Sequence, residues 1–179
     1  MMNRKKILLS LAALVGVGVL LLAILALLNR RPQVVGLNQE IQYDDFAFAA
    51  LGARRAEAIG SDAAPQRAQG VYEIVTMKVA NHARRVDFTF DKSTVILIDD
   101  QGNEYHWSAD VQRAFDASRT AGEPCAGPIA AGASCFTDIV FDVPAAARIV
   151  QLRISGGGPL GDVLDTIFYG KKRIALPPQ

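Results

Sequence analysis

The sequence is poor in the side chains that most often carry chemistry. Its 179 residues include two cysteines, two histidines, one tryptophan and three methionines. The cysteines stand ten positions apart, at Cys125 and Cys135, which excludes a C-x-x-C redox pair and leaves too few ligands for a structural zinc site. With His82 and His106 as the only histidines, no Ser-His-Asp or Cys-His pairing can be asserted. There is little excess charge of either sign: 19 basic against 18 acidic residues, a formal net of +1. No acid precedes Glu40, and no charge at all lies between Lys6 and Arg30. Setting Arg4, Lys5 and Lys6 aside leaves 16 basic residues against 18 acids, a net of −2. Such a near-neutral remainder has no basic field to attract nucleic acid, and no nucleic-acid motif is present.

What is present begins with one apolar run. Residues 7–28 are 22 positions without a charge, and Ser10 is their one polar side chain. As a helix, such a run covers roughly 33 Å, enough for a hydrocarbon core of about 30 Å. It predicts a membrane anchor. The rival is a cleaved secretory signal peptide, which the basic Arg4-Lys5-Lys6 start also suits. However, the run exceeds the usual apolar length of such a peptide, and Leu27-Leu28-Asn29-Arg30 offers no small-x-small cleavage pair. The expected organisation is a cytoplasmic tip and transmembrane signal anchor over 1–31, a linker over 32–39 and a folded domain over 40–179. Arg4, Lys5, Lys6 and the amino terminus outweigh Arg30 and Arg31, so the domain is expected outside the cytoplasm, periplasmic or extracellular.

Beyond Pro32 the pattern changes to short β segments separated by turn signals. Strands are expected over 40–49, 71–80, 86–90, 94–98, 104–107, 135–143 and 148–154, with short final strands over 166–169 and 173–176. The 40–49 segment shifts phase at Asp44-Asp45, which predicts a bulge or kink. In 71–80, Val75, Met77 and Val79 share one face; in 135–143, Ile139, Phe141 and Val143 do. Asp138 and Asp142 then fall on the opposite, solvated face. The 94–98 segment is apolar on both faces, as a central strand should be. Asp99-Asp100-Gln101-Gly102-Asn103 reads as a hairpin turn, and too few oxygen ligands stand at alternating positions for a calcium loop. Ser108 caps a short helix through 119, with Val111 and Phe115 on one face. Loops are expected over 61–70, 120–134 and 155–162. The triple glycine at 156–158 is not a phosphate loop, because no Lys-Ser/Thr follows it. The result is an all-β class: an antiparallel, immunoglobulin-like β-sandwich with one short helical insertion, preceded by a single transmembrane helix.

The order of several motifs supports a more particular assignment. YEIVTMKVAN at 72–81, LIDDQGNEY at 97–105, IAAGASC from Ile129 and VFDVP at 140–144 succeed one another. In that order the chain, from about 36 to 176, resembles a bacterial envelope family of unknown function with a telokin-like, immunoglobulin-like β-sandwich. Ala131 stands where that family carries a loop proline, and the stretch 107–123 is a long insertion. The resemblance implies a fold and an extracytoplasmic compartment, with members secreted, lipid-anchored or membrane-anchored. It supplies no active site.

In an oxidising compartment, Cys125 and Cys135 are expected to close the intervening loop as a disulfide. Tyr105, His106 and Trp107, beside the insertion, are the candidate partner-binding residues, although Trp107 also suits a cap on the sandwich core. No catalytic residue, no cofactor and no metal site is expected. The expected role is a non-enzymatic, membrane-anchored envelope module for protein binding or assembly. Its expected partners are another envelope protein and the membrane, with no nucleic acid. The alternative is an envelope ligand- or metal-binding accessory protein using His82 or His106.

Overall fold

The structure is a computed structural model and describes residues 4–61, 64–118 and 125–177. Helix α1 (Arg4–Leu28) is continuous, and its side chains are described over 13–28. Only residues 13–28 of α1 are described with their side chains, and no described stretch of helix is by itself long and apolar enough to cross a membrane. The helix ends as Arg30 N–H bonds Leu27 O, and Pro32 then removes the next backbone donor. The chain passes directly into β1 (Gln33–Val35), so this part of the segment read as a linker belongs to a sheet.

Two sheets pack face to face. The first runs β1, β9 (Lys172–Ala175), β8 (Ile149–Ile154), β5 (Val95–Asp99) and β6 (Glu104–His106). The second runs β2 (Ile41–Tyr43), β3 (Phe46–Ser61), β4 (Ala64–Asn81) and β7 (Ser134–Val143). All pairings are antiparallel except β1 with β9, which run parallel with Gln33 opposite Lys172. The period-two pattern places Val75, Met77 and Val79 of β4 and Ile139, Phe141 and Val143 of β7 inside, where they meet Leu97, Leu152 and Ile174 of the other sheet. Strand β5 is buried at every position, as its two-sided apolarity requires. Gly102 takes φ +87° in the turn between β5 and β6.

The structure corrects four further readings. Asp44-Asp45 is not a bulge but the two-residue turn of a β2–β3 hairpin, with Asp44 at φ 52°. The loop expected over 61–70 is strand from Ala64 onward, outside 62–63, which lie beyond the described residues. There β3 and β4 continue as a two-stranded extension, with Ile59 opposite Gln66 and Gly60 opposite Pro65. Ile59 is buried there but few of its neighbours are, so no regular apolar alternation marks the ribbon and its sequence looks like a loop. The segment 86–90 contributes only an isolated bridge from Phe88 to Ile129.

The fourth correction bears most on the site. The loop over 155–162 and the strand over 166–169 are replaced by helix α3 (Pro159–Tyr169), so the domain has a second helix. Thr166-Ile167-Phe168-Tyr169 has strand composition, but Pro159 opens a helix and Gly170, at φ 73°, ends it. Its entry is tight: a Cβ on Gly161 would lie 2.0 Å from Gly156 O. The first helix of the domain is α2 (Ala109–Ala117). Ser108 stands at its N-cap without a side-chain capping bond, and the expected end at 119 lies outside the described residues.

Helix α2 covers the outer face of the second sheet. Val111 and Phe115 pack on Tyr72, Ile74 and Val140 in a second, smaller core. From the same helix, Gln112 is 2% exposed and reaches the open edge of β7. Its Nε2 donates to Asp138 O at 3.0 Å, and its Oε1 accepts from Val140 N–H at 3.0 Å. One amide thus completes an edge that would otherwise leave backbone groups unpaired. The expected disulfide between Cys125 and Cys135 is formed, at the start of β7.

Candidate functional site

Helix α3 roofs a cleft of about 230 Å³ against β8 and β9. A second cleft, of about 280 Å³, adjoins it and shares Tyr43, Ile154 and Asp165 with it. The period of β8 turns Arg153 outward, away from the core that holds Leu152. Arg153 donates to both carboxylate oxygens of Glu104, at 2.9 and 3.1 Å, and to Asp162 at 3.2 Å. Asp162, in the first turn of α3, also accepts from Ser155 Oγ at 2.7 Å and Gly156 N–H at 2.8 Å. Burial alone would raise the Asp162 carboxyl, but these donors and the Arg153 charge hold it below the usual carboxylate range. Glu104 is lowered by the Arg153 hydrogen bonds. Asp165, one turn further along α3, is raised by burial and by the Asp162 charge.

The adjoining second cleft is aromatic. Phe46 and Phe88 stack with centroids 4.0 Å apart, and Phe48 meets the Phe88 ring edge-on at 6.2 Å. Tyr43 packs edge-on against Phe48 and Tyr169, and burial raises its hydroxyl to about 12. The Lys172 ammonium lies 5.1 Å over Tyr43 and 5.8 Å over Tyr169, while donating to Gln42 O. Burial lowers its pKa. The arrangement is a polar half and an aromatic half side by side, suited to holding an amphiphilic group.

The sequence-predicted residues lie elsewhere. Tyr105 points its hydroxyl to Asp99 Oδ2 at 2.9 Å, and Trp107 gives its indole N–H to Gln112 Oε1 at 3.2 Å. Both pack against the main core. His106, between them on β6, is exposed. His82 is also exposed and has Glu40 at 3.6 Å. Among the described residues no group of three or more His, Cys, Asp or Glu is placed to hold a metal ion. Sequence reasoning missed the Arg153–Glu104–Asp162 cluster, because its members come from three elements joined only by the fold. One local signal existed: Leu160, Val163, Leu164, Ile167 and Phe168 recur at helical spacing.

Two packed sheets with this strand order define an immunoglobulin-like β-sandwich protein. The chain belongs to the DUF4352 family, a domain of unknown function, which matches residues 35–162. Solved structures share the fold at low identity. A conserved hypothetical protein from Bacillus anthracis is 14% identical, with TM-score 0.52 over 65% of this chain and 87% of its own. The secreted protein MPT63 from Mycobacterium tuberculosis is 15% identical, with TM-score 0.50 over 82% and 99%. An uncharacterized β-sandwich protein from Clostridium difficile is 11% identical, with TM-score 0.51 over 83% and 97%. No curated protein matches the chain.

Proposed function

We propose that the chain is a non-enzymatic module of the bacterial cell envelope, tethered by α1 and presenting its sandwich outside the cytoplasm to another envelope protein. The observation that carries this reading is α1 itself. It is 25 residues long, about 37 Å of helix, and its residues 7–28 carry no charge. Leu14, Val15, Val17, Val19, Leu20, Leu21, Leu22 and Leu25 stand exposed, while Ile24 is half-buried. A soluble helix of this kind would be buried, and a bilayer is the solvent that suits it. The Cys125–Cys135 disulfide suits an oxidising compartment. A binding role is supported by the open cleft under α3, which Tyr43, Asp165 and Lys172 help to line.

The adjoining polar and aromatic clefts favour a second reading, an accessory protein that binds a small amphiphilic ligand. The test is crosslinking of the full chain in intact envelopes, followed by identification of attached species. A single envelope protein crosslinked through the sandwich is the expected result. Crosslinks to no protein, with a small molecule retained by the purified chain, would replace the first reading with the second.

A further inference from the structure

We propose that α3 is an interfacial membrane helix, laying its apolar face on the surface of the bilayer that α1 crosses. This rests on the anchor reading above and adds a second contact to it.

The first observation is that α3 is mounted inside out. Leu160 and Phe168 are each 73% exposed and Leu164 is 45% exposed, and they form one stripe at successive turns. The carboxylates of the same helix face the protein instead. Asp162 is held by Ser155, Gly156 and Arg153, and Asp165 lines both clefts. In a helix of a soluble domain the apolar stripe faces the core. Here the hydrogen bonds of Asp162 fix the opposite orientation, so the stripe stays outward.

The second observation says what covers it. Strands β1 and β9 are parallel, with Gln33 opposite Lys172 and Gln33 N–H bonded to Lys171 O at 2.8 Å. The chain enters β1 from the C-terminal end of α1, and it enters β9 from the C-terminal end of α3. Neighbouring strands lie about 4.8 Å apart, so both helices leave the domain at one point. They lie beside one another in the structure. If α1 emerges from a bilayer at Leu28, the last turn of α3 is at the bilayer surface.

The surrounding charge fits that placement. Arg30 and Arg31 are exposed between α1 and β1, and Lys171 follows α3. Basic side chains at this level can reach the lipid phosphates of the interface, whereas the acids of α3 are turned away from it. Tyr169 adds an aromatic ring at the same height. An amphipathic helix in this position seats its apolar face about 5–10 Å into the headgroup–acyl boundary.

The test uses the full, disulfide-bonded chain reconstituted in vesicles of phosphatidylethanolamine and phosphatidylglycerol. An environment-sensitive fluorophore is attached in turn at Leu164→Cys, Phe168→Cys, Leu20→Cys and Asp100→Cys. Quenching lipids carry spin labels either near the headgroup or deep in the acyl chain. Asp100 sits on the turn after β5, at the far end of the sandwich from Lys172. The expected result is loss of fluorescence at 164 and 168 with the shallow quencher, at 20 with the deep quencher, and at 100 with neither. Quenching at 20 without quenching at 164 and 168 would overturn the α3 contact and leave the anchor standing. A blue-shifted but unquenched signal at 164 and 168 would also overturn it, in favour of a protein cover. Absence of quenching at all four positions would remove both readings together.

Discussion

At the residue scale, neighbours in sequence serve opposite purposes. Phe141 is fully buried between the sheets. Its replacement by Ala is expected to cost about 3–5 kcal/mol through lost burial and the cavity left behind. Asp142, next to it, faces outward but accepts from the N–H groups of Gln69, at 2.9 Å, and Gly70, at 3.3 Å. Asp138 likewise accepts from Thr76 Oγ1 at 2.6 Å. These aspartates are therefore not merely solvated, as the alternation alone suggests. Asp142→Ala is expected to cost roughly 1 kcal/mol, still well below Phe141→Ala. Urea unfolding of the detergent-solubilised full chain measures the contrast, and equal costs would contradict it. The cleft carboxylates also give stability a pH dependence. Because Asp162 is lowered in the fold, the folded state releases its proton more readily than the unfolded chain does. The stabilisation it contributes is present above the ordinary carboxylate range and is lost as pH falls through the lowered value. Asp162→Asn is expected to flatten the acid limb of the stability profile, which unfolding series at stepped pH would reveal.

At the element scale, the short helices do different work. Helix α2 protects the edge of β7 through Gln112, whose amide substitutes for a missing strand. Gln112→Leu keeps the volume but strands the Val140 N–H, and a cost of about 2 kcal/mol is expected. Amide hydrogen exchange at Val140 provides the more specific check: it should accelerate well beyond that of Ile139, whose partner lies in β4. Unchanged protection at Val140 would show the edge bond to be dispensable. The outer helix-covered core, with Val111 and Phe115 over Ile74, also explains why β4 is apolar on part of its second face. Helix α3, in contrast, gives its polar side to the domain and keeps its apolar side outward.

At the scale of the whole molecule, topology joins α1 to the site. The parallel β1–β9 pair puts the end of α1 beside the end of α3 and its clefts. The disulfide bears on the compartment of the whole domain. In unreduced envelopes, Cys125 and Cys135 are expected to resist alkylation until reductant is added, and ready labelling of both would argue against an outward-facing domain. Local periodicity was enough to determine the strands around 71–80, 94–98, 135–143 and 148–154, the turn at Gly102 and the apolar run ending at Leu28, because each pattern repeats within a few residues of itself. The long β3–β4 extension escaped that kind of reading, since beyond Ile59 it buries too little to imprint a regular alternation on its sequence. Only the tertiary structure decided that Gln112 completes a sheet edge and that Arg153, Glu104 and Asp162 meet. It alone decided that α3 turns its apolar stripe outward. Each depends on partners far apart in the chain, such as the 49 positions between Glu104 and Arg153. The apolar spacing of α3 is written in its sequence, but the side it faces is set by the hydrogen bonds that Asp162 finds in the fold.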